Sequence, residues 1–465
     1  KATASGVLPS GQPVVVNADG TVSVVEGVEE GVGSAAVFEG SESTQISAVF
    51  DSNSNKVVIG YRDQVNSGYG TAVVGTVSGS TISFGTVVVF ESGSTSYVSA
   101  VFDSNSNKVV IAYQDYSDSQ KGKAIVGTVS GTDISFGTAV VFENASTSYV
   151  SATFDSNSNK VVIAYRDSGN AASGTAIVGT VSGTGISFGT AVVITQNVFW
   201  VTSTFDSNSN KVVIAYRDGN NSNYGTAVVG TVSGTTINFG GFFVYESAIS
   251  NENAATFDSN SNKVVIAYRD QGNSNYGTAV VGTVSGSGIS FGTAVVWHNG
   301  TAQYISISFD STNNKVSIVY RDSTGTNGTI VSGTVSGTSI SFDSPLVFSE
   351  AATLDTASAF NSALNKTVVV YSDTGNSNSG TAVVYNAGST NLTAENYIGM
   401  STGGTHASGS TATVKIIGNT SDEQTSLTAG QAYYVQTDGT LGLTAASPSV
   451  FAGTAISATK LLVKT

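Results

Sequence analysis

Short runs of apolar and β-branched residues recur along this chain, each bounded by glycine, asparagine, aspartate or serine. One representative stretch contains four such runs, at residues 147–155, 160–167, 174–183 and 185–194. Consecutive runs of this length joined by short turns predict antiparallel β-strands, and no segment predicts a helix. Both alternating faces of the second run are largely apolar, which predicts that neighbouring units cover this strand on both sides.

The sequence FDSNSNKVVIAY and its near copies divide the chain into repeats. Seven copies are present, and the phenylalanines that open them are 52, 52, 51, 52, 52 and 51 residues apart. Such a period is typical of arrays of supersecondary units, and four strands in each unit match the blades of a β-propeller. The seven phenylalanines are Phe50, Phe102, Phe154, Phe205, Phe257, Phe309 and Phe360.

The two ends of the repeat region favour a closed ring over an open stack. The segment ISFG or a near copy opens the fourth strand six times, and the seventh repeat stops after residue 388 without it. Residues 33–40, GSAAVFEG, match the GTVVVFES of residues 85–92. A strand from the start of the chain would complete the last sheet and remove its exposed edge. The predicted fold is all-β, a closed seven-bladed β-propeller over residues 33–388.

Residues 1–32 and 389–465 lie outside the repeats and resemble each other. LPSGQPVVVNADGTVSV (8–24) parallels LTAGQAYYVQTDGTLGL (427–443), and both predict a β-hairpin with Asp-Gly at the turn. Because both flanks leave the propeller at the same blade, we expect them to form one small all-β module built from the two ends of the chain.

Composition and charge narrow the classes of partner. The 465 residues carry 18 Lys and Arg against 32 Asp and Glu, and the net charge of -14 repels phosphate backbones and anionic lipids. No apolar run reaches the roughly 20 residues of a membrane-spanning helix. The absence of cysteine excludes disulfides and thiolate metal sites. We therefore expect no nucleic-acid partner and no membrane insertion.

The repeated DSNSNK turn has some features of a calcium loop. Asp51, Asn53 and Asn55 have the spacing of the first ligands of an EF-hand. However, Lys56 stands where that loop needs a glycine, and Arg62 stands where it needs a chelating glutamate. We expect the Asp and Asn side chains to cap a hairpin turn instead, with no metal and no other cofactor. Calcium binding is the alternative.

All the arginines end the second strand of a repeat, in the sequence Tyr-Arg-Asp. This regularity favours an architectural role, as an ion pair with the adjacent aspartate or with that of the next blade. The functional alternative is bidentate binding of a substrate carboxylate, as in sialidases, which are also propellers. The chain lacks the Asp-box repeats of that family. The arginines are Arg62, Arg166, Arg217, Arg269 and Arg321, and Gln114 and Ser372 fill the other two copies.

The sequence contains no recognisable catalytic motif. His298 and His406 are the only histidines, and they do not have the spacing of metal ligands. No nucleophile-elbow, phosphate-loop or zinc motif occurs. Paired carboxylates for glycoside hydrolysis stay open as an alternative, because such residues converge in space rather than in sequence. We expect a protein without enzymatic activity.

The repeats agree at one end of their strands and differ at the other. The turns between first and second strands hardly change, whereas the loops between second and third strands and the links between repeats vary. A variable position also lies five residues before each repeat phenylalanine, beside the Tyr-Arg end of the second strand. The residues there are Gln45, Tyr97, Tyr149, Trp200, Glu252, Tyr304 and Asp355.

An aromatic arc on successive repeats is the first candidate binding site. Tyr97, Tyr149 and Trp200, flanked by Arg166 and Arg217, supply ring faces that stack on sugars and polar groups that fix orientation. The alternative is that these rings cap the core or fill the mouth of the channel. The other candidates for ligand contact are Tyr304, Trp297 and His298.

The terminal segments carry a resemblance to a known group of proteins. SLTAGQAYYVQTDGTL and SPSVFAGTAISATKLLVKT, within residues 426–465, and SGVLPSGQPVVVNADGTV near the start are similar to terminal modules of structural and fibre-like proteins of marine tailed bacteriophages. The resemblance covers roughly a fifth of the chain. The repeats are similar to repetitive phage and environmental bacterial surface proteins. The resemblance implies a virion appendage whose variable central domain faces the host.

Together these features predict a non-enzymatic structural and recognition protein on the virion surface or outside the cell. Its loops would bind a host-surface glycan or a protein receptor. Its terminal module would attach it to other virion proteins or to copies of itself, as a homo-oligomer. The alternatives are a secreted propeller lectin, a self-assembling extracellular filament subunit or capsid decoration, and a hydrolase of surface glycans.

Overall fold

The computed structural model describes residues 1–445 and 448–464, so residues 446, 447 and 465 of the predicted C-terminal segment lie outside it. Contacts divide the chain into two compact units, residues 32–387 and residues 1–31 with 388–465. The predicted domains, 1–32, 33–388 and 389–465, stay a prediction. The fold is all-β, and in the described residues the only helical segments are two 3-10 turns, Gln271–Asn273 and Thr374–Asn376.

Each of the first six repeats of the larger unit contributes four antiparallel strands and the seventh contributes three, and the second and third strands of every repeat are regular. In the third repeat, Lys160–Asp167 pairs with Ser173–Ser182 along its whole length. The second strands are Lys56–Asp63, Lys108–Asp115, Lys160–Asp167, Lys211–Asp218, Lys263–Asp270, Lys315–Asp322 and Lys366–Asp373. The third strands are Tyr69–Ser78, Lys121–Ser130, Ser173–Ser182, Tyr224–Ser233, Tyr276–Ser285, Asn327–Ser336 and Ser379–Asn386.

Five of the seven first strands begin earlier than the sequence predicts, because the chain stays extended as it passes from one repeat to the next. Val140–Asp155 pairs first with the third strand of the preceding repeat and then with the second strand of its own. The first strands of the seven repeats lie within Ala36–Asp51, Val88–Asp103, Val140–Asp155, Val198–Asp206, Thr236–Asp258, Val295–Asp310 and Thr353–Asn361. The short strands before two of them are Val192–Thr195 and Leu346–Ser349, and Gly31–Val32 precedes the first.

The fourth strand is interrupted where the sequence predicts one continuous run over 185–194. Gly185–Phe188 ends at Gly189, whose N–H donates to the Val178 carbonyl at 2.9 Å. A Cβ atom on Gly189 would lie 1.8 Å from the Thr235 carbonyl oxygen of the next repeat, so the close approach of the two backbones requires glycine. The fourth strands are Thr81–Phe84, Asp133–Phe136, Gly185–Phe188, Gly288–Phe291 and Ser339–Phe342, with the equivalent segment of the fourth repeat inside Thr236–Asp258.

The start of the chain supplies the missing strand of the last repeat. Ser379–Asn386 pairs antiparallel with Ala36–Asp51, with Ala382 opposite Ala36 and Thr381 opposite Val37. An equivalent pairing joins Ala124 and Val140 in the interior of the chain. The last and first repeats are therefore joined by the same hydrogen-bonding pattern as their interior neighbours.

The core lies between neighbouring repeats. In the strand Lys160–Asp167, every side chain from Val161 to Tyr165 is fully buried. Val161, Ile163 and Tyr165 pack with apolar residues of the second repeat, whereas Val162 and Ala164 pack with residues of the fourth. The prediction that neighbouring units cover both faces of this strand is confirmed.

The DSNSNK turns are capped by their own aspartates. In the first repeat, Asp51 Oδ1 accepts hydrogen bonds from the Asn53 N–H at 2.9 Å and the Ser54 N–H at 3.1 Å, and Asp51 Oδ2 accepts from Ser54 Oγ at 2.7 Å. Asn55 then adopts a left-handed backbone, with φ of 55°. The carboxylate is occupied by turn hydrogen bonds, as the capping interpretation predicts.

The smaller unit contains both predicted hairpins. Pro13–Val16 pairs with Val22–Val24, and Ala432–Val435 pairs with Leu441–Gly442. Pro13–Val16 also pairs with Tyr397–Thr402, so segments from the two ends of the chain share a sheet. Its other strands are Ala2–Thr3, Gly27–Val28, Ser389–Thr390, Thr411–Lys415, Thr420–Ser421, Val450–Ser457 and Lys460–Val463. The part of the chain that the structure describes has no helix long and apolar enough to cross a membrane.

Candidate functional site

The variable position five residues before each repeat phenylalanine is a β-bulge. In the third repeat Ser148 lies opposite Arg166 and Ser151 lies opposite Ala164, so the strand register shifts at Tyr149. All seven residues at this position have φ between 49° and 53°, a left-handed backbone that is unfavourable for residues other than glycine. A bulge redirects a side chain out of the regular alternation of the strand. Here it presents the variable side chain of every repeat.

Several of the seven bulge residues contact the bulge residue of a neighbouring repeat, and the set is here called the bulge ring. The Tyr97 N–H donates to Gln45 Oε1 at 2.7 Å, and the Tyr304 N–H donates to Glu252. The Gln45 N–H donates to Asp355, which connects the last repeat to the first. The bulge ring consists of Gln45, Tyr97, Tyr149, Trp200, Glu252, Tyr304 and Asp355.

One part of the bulge ring is the predicted aromatic arc. The ring centroids of Tyr97 and Tyr149 are 5.4 Å apart, and those of Tyr149 and Trp200 are 5.3 Å apart. All three rings are partly exposed. The structure therefore brings the predicted arc together, but it leaves out Tyr304, which lies beyond Glu252 and is 36% exposed.

Two of the candidate arginines pack against a phenylalanine that the sequence analysis missed. Arg166 Cζ lies 4.6 Å from the centroid of the Phe199 ring, and Arg217 Cζ lies 4.3 Å from it. Cation–π contacts of this kind fix the plane of a guanidinium. Burial, together with the positive charges of Arg166 and Arg269, lowers the pKa of Arg217. The only signal for Phe199 in the sequence is its position next to Trp200 in a variable link.

The predicted ion pairs between the repeat arginines and aspartates are wrong. Adjacent residues on a strand point to opposite sides, so Asp167 turns away from Arg166 and caps the following loop, accepting from the Gly169 N–H at 2.9 Å. The one ion pair of a repeat arginine within residues 1–445 and 448–464 joins Arg269 Nη2 to Glu252 Oε1, at 3.3 Å. The aspartates cap the loops, whereas Arg166 and Arg217 contact the following repeat and Arg269 pairs within its own.

A cleft of about 370 Å³ opens between the second and third repeats, on the variable side. Its aromatic residues are Tyr97 and Tyr116, of which Tyr116 is 58% exposed. Its only charged residue is Arg166. The full lining consists of Gln45, Ser96, Tyr97, Gln114, Tyr116, Gln120, Ser146, Thr147, Ser148, Arg166 and Ser168.

Gln114 lines this interface at a position where five other repeats have an arginine. It is 5% exposed and donates through Nε2 to the Thr147 carbonyl of the third repeat. A glutamine is shorter than an arginine and carries no guanidinium. A second hydrogen bond joins the two repeats at the cleft, in which Gln120 Oε1 accepts from Ser146 Oγ at 2.7 Å. The sequence signals for these residues were the exception at Gln114 and the variable loop that begins at Tyr116.

Two lysines of the second repeat, close in sequence to the cleft residues Tyr116 and Gln120, form ion pairs with aspartates. Lys123 Nζ lies 2.6 Å from Asp115 Oδ2 and 3.2 Å from Asp118 Oδ2. Lys121 Nζ lies 2.9 Å from Asp118 Oδ1. Arg166 is therefore the charge that the cleft itself presents.

The structure corrects the second candidate pair. Trp297 is 7% exposed, and its ring makes an edge contact with Tyr320, with centroids 4.6 Å apart. This is the position at which Phe142 packs on Tyr165 in the third repeat, so Trp297 fills a core site and offers no free face to a ligand. His298 Nε2 lies 3.2 Å from Asp322 Oδ1 and does not line the cleft.

A hydrogen bond from a buried tyrosine to a glutamate recurs in several repeats. In the third repeat the Tyr165 hydroxyl donates to Glu143 Oε2 at 3.1 Å. Burial and the nearby Glu143 charge raise the pKa of Asp167. The same tyrosine–glutamate hydrogen bond occurs at Tyr61, Tyr113 and Tyr268. Its repetition is typical of an architectural contact between repeats. In the described ranges, no three Asp, Glu or His side chains are placed to share a metal ion.

Comparison with known proteins identifies the fold. No model of a protein family and no curated protein matches the sequence. The BP39L lectin from Burkholderia pseudomallei has a similar structure, with a TM-score of 0.55 and 13% identity over 76% of this chain and 99% of the lectin. The chain therefore has a β-propeller fold.

Two further solved structures show weaker similarity. For the SapL1 lectin, solved in complex with alpha methyl fucoside, the TM-score is 0.41 at 14% identity, over 67% of this chain and 96% of that one. For the Cps50 (Swd1) beta-propeller domain of Myceliophteria thermophila it is 0.49 at 9% identity, over 76% and 99%.

Proposed function

We propose that this protein binds carbohydrate, without catalysis, in the cleft between its second and third repeats. The observation that carries the proposal is the lining of that cleft. The exposed ring of Tyr116 and the partly exposed ring of Tyr97 offer apolar faces, and serine, threonine and glutamine side chains offer hydrogen bonds. Sugar rings have both an apolar face and a rim of hydroxyls, which this combination fits.

The proposed scaffold is a propeller of seven blades closed by the start of the chain. Seven repeats each supply the same strand pattern, and Ala382 pairs with Ala36 as Ala124 pairs with Val140. The similarity of the fold to that of the BP39L lectin supports a carbohydrate ligand. The terminal unit would be a separate attachment module.

The absence of catalysis is part of the proposal. None of the eleven residues that line the cleft is Asp, Glu or His. Hydrolysis of a glycosidic bond uses a pair of carboxyl groups on either side of that bond. A bound saccharide in this cleft would lack both groups.

The test is binding of the full chain and of Tyr116→Ala to an array of immobilised glycans. We expect the wild type to bind a subset of the glycans and Tyr116→Ala to lose at least about tenfold in affinity, or on the order of 1.4 kcal/mol. Phe242→Ala, which removes a ring of similar exposure (55% against 58%) outside the cleft, serves as the matched control and should keep wild-type affinity. Equal affinities of wild type and Tyr116→Ala would remove the cleft as the site.

The terminal segments are the basis for proposing where the protein acts. Their resemblance to modules of marine tailed bacteriophage proteins makes a virion appendage, assembled with virion proteins or with copies of itself, one proposal. A secreted lectin is the other, and both place the protein outside the cell. Peptide mass spectrometry of purified virions distinguishes them, since a secreted lectin would be absent from the particles. Light scattering in solution tests the predicted homo-oligomer.

A further inference from the structure

We propose that the cleft selects acidic saccharides, whose carboxylate or sulfate group is bound by Arg166. The inference rests on the proposed function and adds the class of ligand. Arg166 is the only charged residue among those that line the cleft, in a chain whose net charge is -14. The overall negative charge of the protein disfavours anionic ligands, so any affinity of the cleft for an anion has to come from Arg166 itself.

Arg166 lacks the acceptor that its counterparts in the next two repeats have. Arg217 donates to Asn251 of the following repeat, and Arg269 pairs with Glu252. The residue equivalent to Asn251 that faces Arg166 is Phe199, a ring without an acceptor. In residues 1–445 and 448–464 no oxygen accepts a hydrogen bond from Arg166, and its Nε is buried without a partner. That Nε is shielded from solvent, as it is in all five repeat arginines, so a ligand would be bound through the two Nη groups of Arg166.

The Phe199 ring also holds the guanidinium in place. Arg166 Cζ lies 4.6 Å from the ring centroid, and the side chain is partly buried. An arginine whose plane is fixed by stacking loses less entropy when it binds an anion. Carboxylates accept two parallel N–H bonds from such a fork, and oxyanions with tetrahedral geometry, such as sulfate, can do so as well. A neutral sugar supplies no charge to complement it.

The repeat itself supplies the variant for the test. Glutamine already stands at the equivalent position, as Gln114, so Arg166→Gln is compatible with the fold of a repeat. Arg321→Gln makes the same change on the sixth repeat, outside the cleft, and is the matched control. Arg166→Lys keeps the charge but removes the planar fork. Thermal unfolding of each variant verifies that it is folded.

The experiment measures affinities for matched pairs of oligosaccharides with and without the acid group. The pairs are oligogalacturonate and its methyl ester, sulfated and desulfated galactan oligosaccharides, and sialyllactose and lactose. We expect the wild type to prefer at least one acidic member by tenfold or more, and this preference to weaken as salt rises from about 0.05 to 0.5 M. In Arg166→Gln the preference should vanish while binding of the neutral member stays within about twofold of wild type. Arg166→Lys should be intermediate and Arg321→Gln unchanged.

The outcomes separate the two proposals. Wild-type binding without any preference for an acidic member, or a preference that survives in Arg166→Gln, overturns the assignment of Arg166 and leaves carbohydrate binding intact. Binding of no member of any pair by the wild type contradicts carbohydrate binding itself, and the acid specificity with it. The identity of the preferred pair distinguishes a carboxylate from a sulfate ligand.

Discussion

Phe38→Ala should lower the free energy of unfolding by about 3–5 kcal/mol, the usual cost of removing a buried phenylalanine side chain. Phe38 is 6% exposed, and its ring packs on Tyr61, with centroids 5.2 Å apart. A Cβ atom on Gly380 would lie 2.3 Å from Phe38, so the ring rests directly on the backbone of the last repeat. The side chain thus joins the first and last repeats across more than 300 residues of chain.

Phe142 is the matched control for this prediction, because it occupies the same position in the interior. It is 7% exposed, its ring lies 5.1 Å from that of Tyr165, and a Cβ on Gly122 would lie 2.4 Å from it. If the start of the chain closes the propeller, Phe38→Ala and Phe142→Ala should shift the denaturation midpoint of the intact protein by similar amounts. A negligible shift for Phe38→Ala beside a large one for Phe142→Ala would show that the ring is open in solution.

Asp355→Asn should make the protein more stable at neutral pH and should remove part of its pH dependence. Burial at the bulge ring raises the pKa of Asp355 to about 6. In the unfolded chain an aspartate has a pKa of about 3.9. Between these values the folded state holds a proton that the unfolded state releases, so stability falls as pH rises from about 4 to 6 and stays at the lower level above that.

The size of this effect is up to about 3 kcal/mol, since two pKa units correspond to that difference in free energy. The asparagine keeps an oxygen that can accept the Gln45 N–H, so the hydrogen bond between the last and first repeats is preserved. Urea denaturation of both proteins from pH 4 to 8 gives the difference in stability, in which the contributions of the other carboxylates cancel. A difference that is constant over this range would contradict the burial of the Asp355 carboxyl group.

The sequence predicts the repeated framework well because that framework is local. The short apolar run in Lys160–Asp167, with both faces apolar, and the constant spacing of the repeat phenylalanines are enough to predict strands, antiparallel order and a core between repeats. The match of residues 33–40 to 85–92 also predicts which segment pairs with Ser379–Asn386. The capping of the DSNSNK turns follows from the side-chain chemistry of Asp51 and its neighbours.

The candidate site is predicted less completely because it depends on contacts between repeats. Tyr149 adopts a left-handed backbone at the bulge because of strand pairing. Tyrosine ordinarily avoids this conformation, so the residue type gives no sign of the bulge in the sequence. Arg166 was identified from the sequence, but its partner Phe199 lies on the next repeat. Trp297 is a candidate in the sequence because it is a large aromatic residue in a varied link, whereas the repeat places a core side chain at this position.

The cleft is also difficult to predict from the sequence, because it forms between two repeats. Its walls come from residues more than 30 positions apart, such as Gln114 and Thr147, which a hydrogen bond joins across the two repeats. The exception at Gln114 is visible in the sequence, but its consequence appears only once the second and third repeats are packed together. Tyr116 belongs to a variable loop, and its exposure is what makes it a candidate.

The most direct test of carbohydrate binding in the cleft is a crystal structure of the full chain with the oligosaccharide that binds best on the array. We expect one sugar ring against the face of Tyr116, with its polar groups within hydrogen-bond distance of Arg166 and Gln120. Density for the saccharide elsewhere on the protein, with the space between Tyr116 and Arg166 filled only by solvent, would contradict the proposed site.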